Sequence, residues 1–206
     1  MKNNKLMPIL AVVTCLVTAT SAFALEKSQS GFLRDYAQLR EDSDGAARYV
    51  NSGRSLAEYN KFILEPVAVY LPEGKAIYPG DLQALAQYFR DKAVQDLTAA
   101  GYQVVDHSGP GVLRIRAAIT DIEVAKKAFN VHPLTKLAGI GTGGAAMEAE
   151  AVDSMTGERI IAVVDARQGD RMSMTEGLDT YGHARQAMDQ WVARFVQRLN
   201  ASKGQA

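Results

Sequence analysis

The sequence predicts an α+β fold: a two-layer α/β sandwich in which a mixed, mostly antiparallel sheet of about five strands carries two long helices on one face. Two stretches with apolar residues at helical spacing, and a pair of alternating segments closed by a tight turn, carry that reading. At 206 residues the chain is sized for one domain whose core needs no staples.

The clearest segment is Ala146 to Arg167, AMEAEAVDSMTGERIIAVVDAR, which reads as a β-hairpin. Asp153 is set opposite Glu158 across Ser154-Met155-Thr156-Gly157, and Gly157 supplies the positive φ that such a turn needs. In that register Met147, Ala149 and Ala151 share a face with Ile160, Ala162 and Val164. Glu148, Glu150 and Val152 share the other face with Val163, Ile161 and Arg159. The first face is apolar and belongs to the core, and its alanines leave room for something bulky, a helix, to pack closely. The second face is mixed. Glu148 and Glu150 are therefore expected on a solvated surface, the functional alternative being a carboxylate pair.

The N-terminus is a targeting segment. Lys2 and Lys5 precede an uncharged run, residues 6 to 25, and Ala22-Phe23-Ala24 is a small-x-small cleavage signal. A signal peptide over residues 1–24, cleaved after Ala24, places the mature chain in the periplasm or outside the cell. Thr14, Thr18, Thr20 and Ser21 interrupt the apolar run and argue against a permanent span. The alternative is a lipid anchor on Cys15, although Thr14 before it is a poor fit. Cleavage after Ala24 leaves no cysteine, and so no disulfide, thiol nucleophile or thiolate metal site. The chain has 23 basic and 23 acidic residues; Lys2 and Lys5 leave with the leader, so the mature charge is −2. Nothing in that balance favours nucleic acid.

Residues 25–60 read as an irregular N-terminal arm anchored by Phe32, Leu33, Tyr36 and Leu39. Glu41-Asp42-Ser43-Asp44-Gly45 is a turn that lacks the further spaced acids of a calcium loop. Tyr49 and Val50 form a short extended piece, and Ser55 with Glu58 forms a capping box. The α/β domain follows over 61–200. Lys61 to Leu71 is its first strand, in which Pro66 marks an edge, a bulge or a break between two half-strands. Pro79 opens the first helix with Asp81 in its first turn. Leu82, Leu85, Ala86, Phe89, Ala93, Leu97 and Ala100 form its stripe, and Gly101 ends it.

Tyr102 to Asp106 is a short strand and Val112 to Val124 a longer one. In the longer strand Leu113, Ile115, Ala117 and Ile119 alternate with Arg114, Arg116, Ala118 and Thr120. If it pairs with the hairpin, Arg114 and Arg116 meet Glu148 and Glu150 across the sheet. Thr180 caps a last helix through Asn200, whose stripe is Ala184, Met188, Trp191, Phe195 and Leu199. Trp191 is its core anchor, and residues 201–206 form a disordered tail.

Ala125 to Ala145 is a glycine-bearing loop with lysines and no acid. Gly139 to Gly144 matches the letters G-x-G-x-x-G, but a dinucleotide fingerprint follows a strand and opens a helix. Here it follows a short helical stretch, Leu134 to Ala138, and enters a strand, so the match is rejected. Phe129, Val131, Leu134, Leu137 and Ile140 form the candidate binding surface, toward an envelope protein or a membrane-surface component. The alternative is that this loop folds back over the sheet.

No chemistry-bearing constellation emerges. His107, His132 and His183 lack metal-ligand spacing and read as surface or capping residues. There is no G-x-S-x-G elbow and no phosphate loop. Asp121 and Glu123 share one side of a strand end; with His132 they carry the alternative reading, a periplasmic small-ligand binder or an uncharacterised hydrolase. No cofactor and no metal are expected. The leading reading is a non-enzymatic binding or assembly module.

Several segments carry a family likeness. They are Ser30-Gly31-Phe32-Leu33 with Asp35-Tyr36, Tyr59-Asn60-Lys61, Pro66-Val67-Ala68-Val69 and Gly109-Pro110-Gly111-Val112-Leu113-Arg114. Glu148-Ala149-Glu150, Asp153-Ser154-Met155-Thr156-Gly157-Glu158 and the Trp191 helix join them. Together they resemble a bacterial family of exported proteins, the domain of unknown function family 3313, over residues 28 to 200. The resemblance implies an exported protein, in many members a lipoprotein, and implies no activity, cofactor or catalytic residue. The chain departs from it at the lipid-attachment cysteine. The hairpin is also similar to those of small envelope α/β domains that act in assembly and protein contacts.

Overall fold

The computed structural model describes residues 29–124, 143–168 and 179–205. The chain runs through β1 (Arg40–Glu41), β2 (Ala47–Val50), a 3₁₀ turn (Leu56–Glu58), β3 (Lys61–Leu64) and β4 (Ala68–Val69). It continues through α1 (Pro79–Ala99), β5 (Gln103–Val104), β6 (Val112–Glu123), β7 (Gly144–Asp153), β8 (Arg159–Gln168) and α2 (Gly182–Ser202). The fold is α+β. Among the described residues one mixed sheet of eight strands has the order β1-β2-β8-β7-β6-β3-β5, with β4 also paired to β6.

The sheet is larger than the five strands expected, for two local reasons. Residues 25–60, read as an irregular arm, supply β1 and β2, and β2 lies antiparallel to β8. The Asp42 turn between them is built by its side chain, whose Oδ1 accepts from the amides of Asp44 and Ala46. Pro66 cannot donate, and it splits the predicted first strand into β3 and β4, both parallel to β6. The Ser55–Glu58 capping box forms as predicted.

Both helices present their stripes to the sheet. Leu85 and Phe89 of α1 pack with Ala184, Met188 and Trp191 of α2 over Ile119 and Met147. Leu97 and Leu199 close a second cluster over Phe62, Leu64, Leu113, Ala151 and Ile161. Gly101, at φ 85°, ends α1. The start of α2 differs from expectation. Its N-cap is Tyr181 without a side-chain cap, and Asp179 Oδ1, not Thr180, accepts from the Tyr181 amide. The Tyr181 hydroxyl then donates to Asp81 at 3.0 Å and ties the two helix starts together. His183 is buried, 3% exposed, and is neither a surface nor a capping residue.

The hairpin departs from the predicted register. Val152 pairs with Arg159 as expected, but Ala151 pairs with Ile161. Ile160 is the extra residue of a bulge, fully buried, and its carbonyl accepts from the Asn51 amide. The slip inverts every later side chain of β8. Ile161, Val163 and Asp165 therefore join Met147, Ala149 and Ala151 under the helices. Ala162 and Val164 join Glu148 and Glu150 on the opposite face, where Phe32, Leu33 and Leu39 cover them beside Ala47 of β2. At the far end of the hairpin Gly144 lies so close to β8 that a Cβ there would sit 2.3 Å from the Arg167 carbonyl oxygen.

The turn is held by Asp153. Its Oδ1 accepts from the amides of Met155 and Thr156, both at 2.9 Å, and Gly157 takes φ 73°. Its Oδ2 accepts from the Tyr59 hydroxyl at 3.0 Å and lies 3.3 Å from Arg54. Burial opposes its charge, but the Thr156 and Met155 amides and the Tyr59 hydroxyl outweigh burial and hold its carboxyl below the ordinary 3.8. Burial and the same carboxylate push Tyr59 up to about 12. A carboxyl whose pKa is lowered by folding stabilises fully above its unfolded value, and that contribution is lost as pH falls through the folded value. Asp153→Asn is therefore expected to lower unfolding free energy by about 1–2 kcal/mol at pH 7. Urea titrations at several pH values should show the gap to wild type closing below the ordinary 3.8; a gap independent of pH would contradict the assignment.

Candidate functional site

A row of small side chains lies under the helices. Ala117 of β6 faces Ala149 of β7, Ala149 faces Val163 of β8, and Val163 faces Arg48 of β2. Ala93 of α1 stands over the same region. Alanine lacks the volume to meet the helices, so the two core clusters are separated by a cavity of about 120 Å³. Its walls include Phe89, Trp191, Phe195 and Ile115. Ile115, Ala117, Ala149 and Val163 lie in paired strands under the helices, yet all four are only half-buried. The cavity therefore reaches solvent.

Arg48, Arg194 and Arg198 line one end of the cavity beside Asp165. Arg90, Glu65 and Glu150 also line it, the two glutamates being paired with Arg114, Arg116 and Arg159. Asp165 is itself buried; it accepts from the Trp191 indole N–H at 3.2 Å and pairs with Arg167 at 2.9 Å. Arg48 pairs with Asp42. Arg194 has weaker partners, Asp44 at 3.3 Å and Asp165 at 4.0 Å, and Arg198 lies 3.9 Å from Asp42. Burial, then repulsion from Arg198 with smaller contributions from Arg194 and Arg167, lowers the Arg48 guanidinium to about 10. Burial likewise lowers Arg198.

The opposite face holds the two hairpin acids, and neither is solvated as expected. Glu148 is 0% and Glu150 5% exposed. Glu148 accepts from the amides of Ser30 at 2.6 Å and Leu33 at 3.3 Å, and from the Tyr36 hydroxyl at 2.5 Å. It is the peg on which the arm hangs. Burial and then the Glu148 carboxylate raise the Tyr36 hydroxyl above its ordinary value. Glu150 meets Arg116 directly across the sheet at 2.7 Å, as the sequence led us to expect, and Arg159 at 2.8 Å. Arg114 does not reach Glu148; it pairs with Glu65 at 3.3 Å. The arm closes over this charge cluster, with the Phe32 ring 5.2 Å from the Arg116 guanidinium.

The remaining expected residues fall elsewhere. Asp121 is held by Lys75 at 2.6 Å and Glu123 is exposed; neither lines the cavity. His107 is exposed beside Asp106. Phe129, Val131, His132, Leu134, Leu137 and Ile140 lie outside the described residues, as do Cys15 and the cleavage site at Ala24. Among the described residues no cluster of His, Cys, Asp and Glu is arranged to hold a metal, and no helix is long and apolar enough to cross a membrane. The alanine row and the arginine end were not singled out from sequence. The only signal was the run of alanines on one hairpin face, with Arg194 and Arg198 one helical turn apart.

Fold and geometry define an α+β domain of one mixed sheet and two long helices with an apolar cavity between them. The chain belongs to the family described as protein of unknown function (DUF3313), whose model matches residues 28–195, as the resemblance implied. No curated protein matches it. Among solved structures it is similar to a dodecameric PelC variant from Paraburkholderia phytofirmans, at 15% identity over 75% of this chain and 96% of that one, TM-score 0.49. A minor lipoprotein from Acinetobacter baumannii matches at 15% identity over 70% and 95%, TM-score 0.39. A DUF4136 family protein from Bacteroides thetaiotaomicron matches at 12% identity over 79% and 97%, TM-score 0.43.

Glu148→Gln puts an amide N–H₂ among three donors that need an acceptor. It is expected to cost about 1.5–3 kcal/mol in urea unfolding. It should also expose the segment around Phe32 to limited proteolysis; an unchanged cleavage pattern would mean the arm does not depend on Glu148.

Proposed function

We propose that this protein is an exported, non-enzymatic binding module of the bacterial cell envelope, and that the helix–sheet cavity is its ligand site. The leader residues 1–24 support export to the periplasm or beyond, with a lipid anchor on Cys15 as the alternative. The observation that carries the binding reading is a cavity of about 120 Å³ with a mostly apolar wall and a group of arginines at one end. A concave apolar site with a few convergent polar groups is the usual form of a small-molecule pocket. The alternative reading as a hydrolase gains nothing from Asp121, which is neutralised by Lys75 outside the cavity.

Native mass spectrometry of protein taken from the envelope of its own host should find a small molecule retained by wild type. Ala149→Leu, which fills the cavity from its floor, should lose that molecule and melt at or above the wild-type temperature. A wild type that is consistently empty would overturn the reading.

The stretch from Phe129 to Ile140 supplies a proposed second contact, toward an envelope protein or membrane-surface component; its apolar residues and absence of acid motivate it. Photocrosslinking from Phe129 or Leu134 in cells should trap that partner, and normal export without an adduct would reject it.

A further inference from the structure

We propose that the cavity takes a single-chain amphiphile with an anionic head, its chain along Ala117, Ala149 and Val163 and its head at Arg194 and Arg198. This rests on the cavity being a ligand site and names the class of ligand. The row from Ala117 through Ala149 and Val163 to Arg48 crosses three strand spacings, about 14 Å, and ends at the arginine group. An engineered cavity of about 150 Å³ holds one benzene, so a volume near 120 Å³ suits the apolar part of a short aliphatic chain.

The head is chosen by charge. Among the described residues four guanidiniums, Arg48, Arg167, Arg194 and Arg198, share the carboxylates of Asp42, Asp44 and Asp165. One positive charge is left over. The arginines with the longest ion pairs, Arg194 and Arg198, are on the cavity side, about a third exposed. Their contacts of 3.3–4.0 Å fall short of the charge-assisted bonds of about 2.7–2.9 Å that a carboxylate, sulfate or phosphate group makes with guanidinium. A cationic head would meet that excess of like charge. A peptide strand is also disfavoured. The floor is the interior of the sheet, where β8, β7 and β6 are each paired on both sides and have no free backbone edge to offer.

Trp191 is the only tryptophan and lines the cavity, so its emission reports filling directly. The full exported chain would be titrated below micellar concentrations with octanoate, octyl sulfate, octanol, octylammonium and inorganic phosphate. Octanoate and octyl sulfate are expected to shift Trp191 emission saturably and raise the melting temperature. Octanol should bind about tenfold more weakly, and octylammonium and phosphate alone should leave the emission unchanged. The double variant Arg194→Gln, Arg198→Gln should weaken octanoate about tenfold and leave octanol as it was, which separates loss of the head site from misfolding. Ala149→Leu should abolish every response.

Equal binding of octanol and octanoate, or a preference for octylammonium, would overturn the anionic head while leaving the cavity as a ligand site. Binding of phosphate as tight as octanoate would overturn the chain. No response to any of the five, with a different molecule found by native mass spectrometry, would overturn the amphiphile class alone. No response and an empty native protein would overturn both readings.

Discussion

A strand alternates its side chains between two faces, so one unpaired residue decides which side every later residue occupies. In β8 that residue is Ile160. It is fully buried among Tyr59, Leu113 and Leu199, and its carbonyl receives the Asn51 amide, so the bulge is held from both its side chain and its backbone. Beyond it, Asp165 lies under the helices within reach of the Trp191 indole, and Val163 joins Ala149 and Ala117. Ala162 and Val164 turn the other way and provide the apolar floor on which Phe32 and Leu33 rest. The place of Asp165 beside the cavity and the apolar floor of the covered opposite face both follow from this one insertion.

Covering that face creates a polar problem that the arm solves. A carboxylate in apolar surroundings is tolerated only when its oxygens are satisfied. Glu148 obtains that satisfaction from Ser30, Leu33 and Tyr36, all in the arm. Glu150 obtains it from Arg116 and Arg159, and Arg159 in turn donates to the Asp35 carbonyl at 2.9 Å. The segment before β1 is thus bound to the sheet by charge-assisted hydrogen bonds as well as by Phe32, Leu33 and Leu39.

The helical face is treated differently. A cavity that reaches solvent between two packed clusters leaves apolar wall, Phe89, Trp191 and Phe195 among it, that closer packing would bury. Leucine at Ala117 or Ala149 would bury part of it. A protein that leaves such a cavity beside a group of arginines has sacrificed stability at a place where charge and apolar surface meet. That combination sets this region apart from Asp121 and Glu123, whose surroundings are those of an ordinary strand end.

Much of the fold was legible in local pattern. The two helices, the break at Pro66, the β6 alternation, the Ser55–Glu58 capping box and the cross-strand Arg116–Glu150 pair each depend on residues close in sequence or on a simple period. The family was legible too, because its motifs are short and local. What sequence by itself could not decide was parity. The hairpin alternates just as well with or without a bulge at Ile160, since isoleucine and alanine are acceptable on either face. The choice rests on the Asn51 amide, which bonds the Ile160 carbonyl, and on the core cluster that Ile160 shares with Tyr59 and Leu199 from distant parts of the chain. That choice set Ala162 and Val164 beside two glutamates that read as wet, and it set Asp165 on the face of the alanine row, where only the packed helices reveal a cavity.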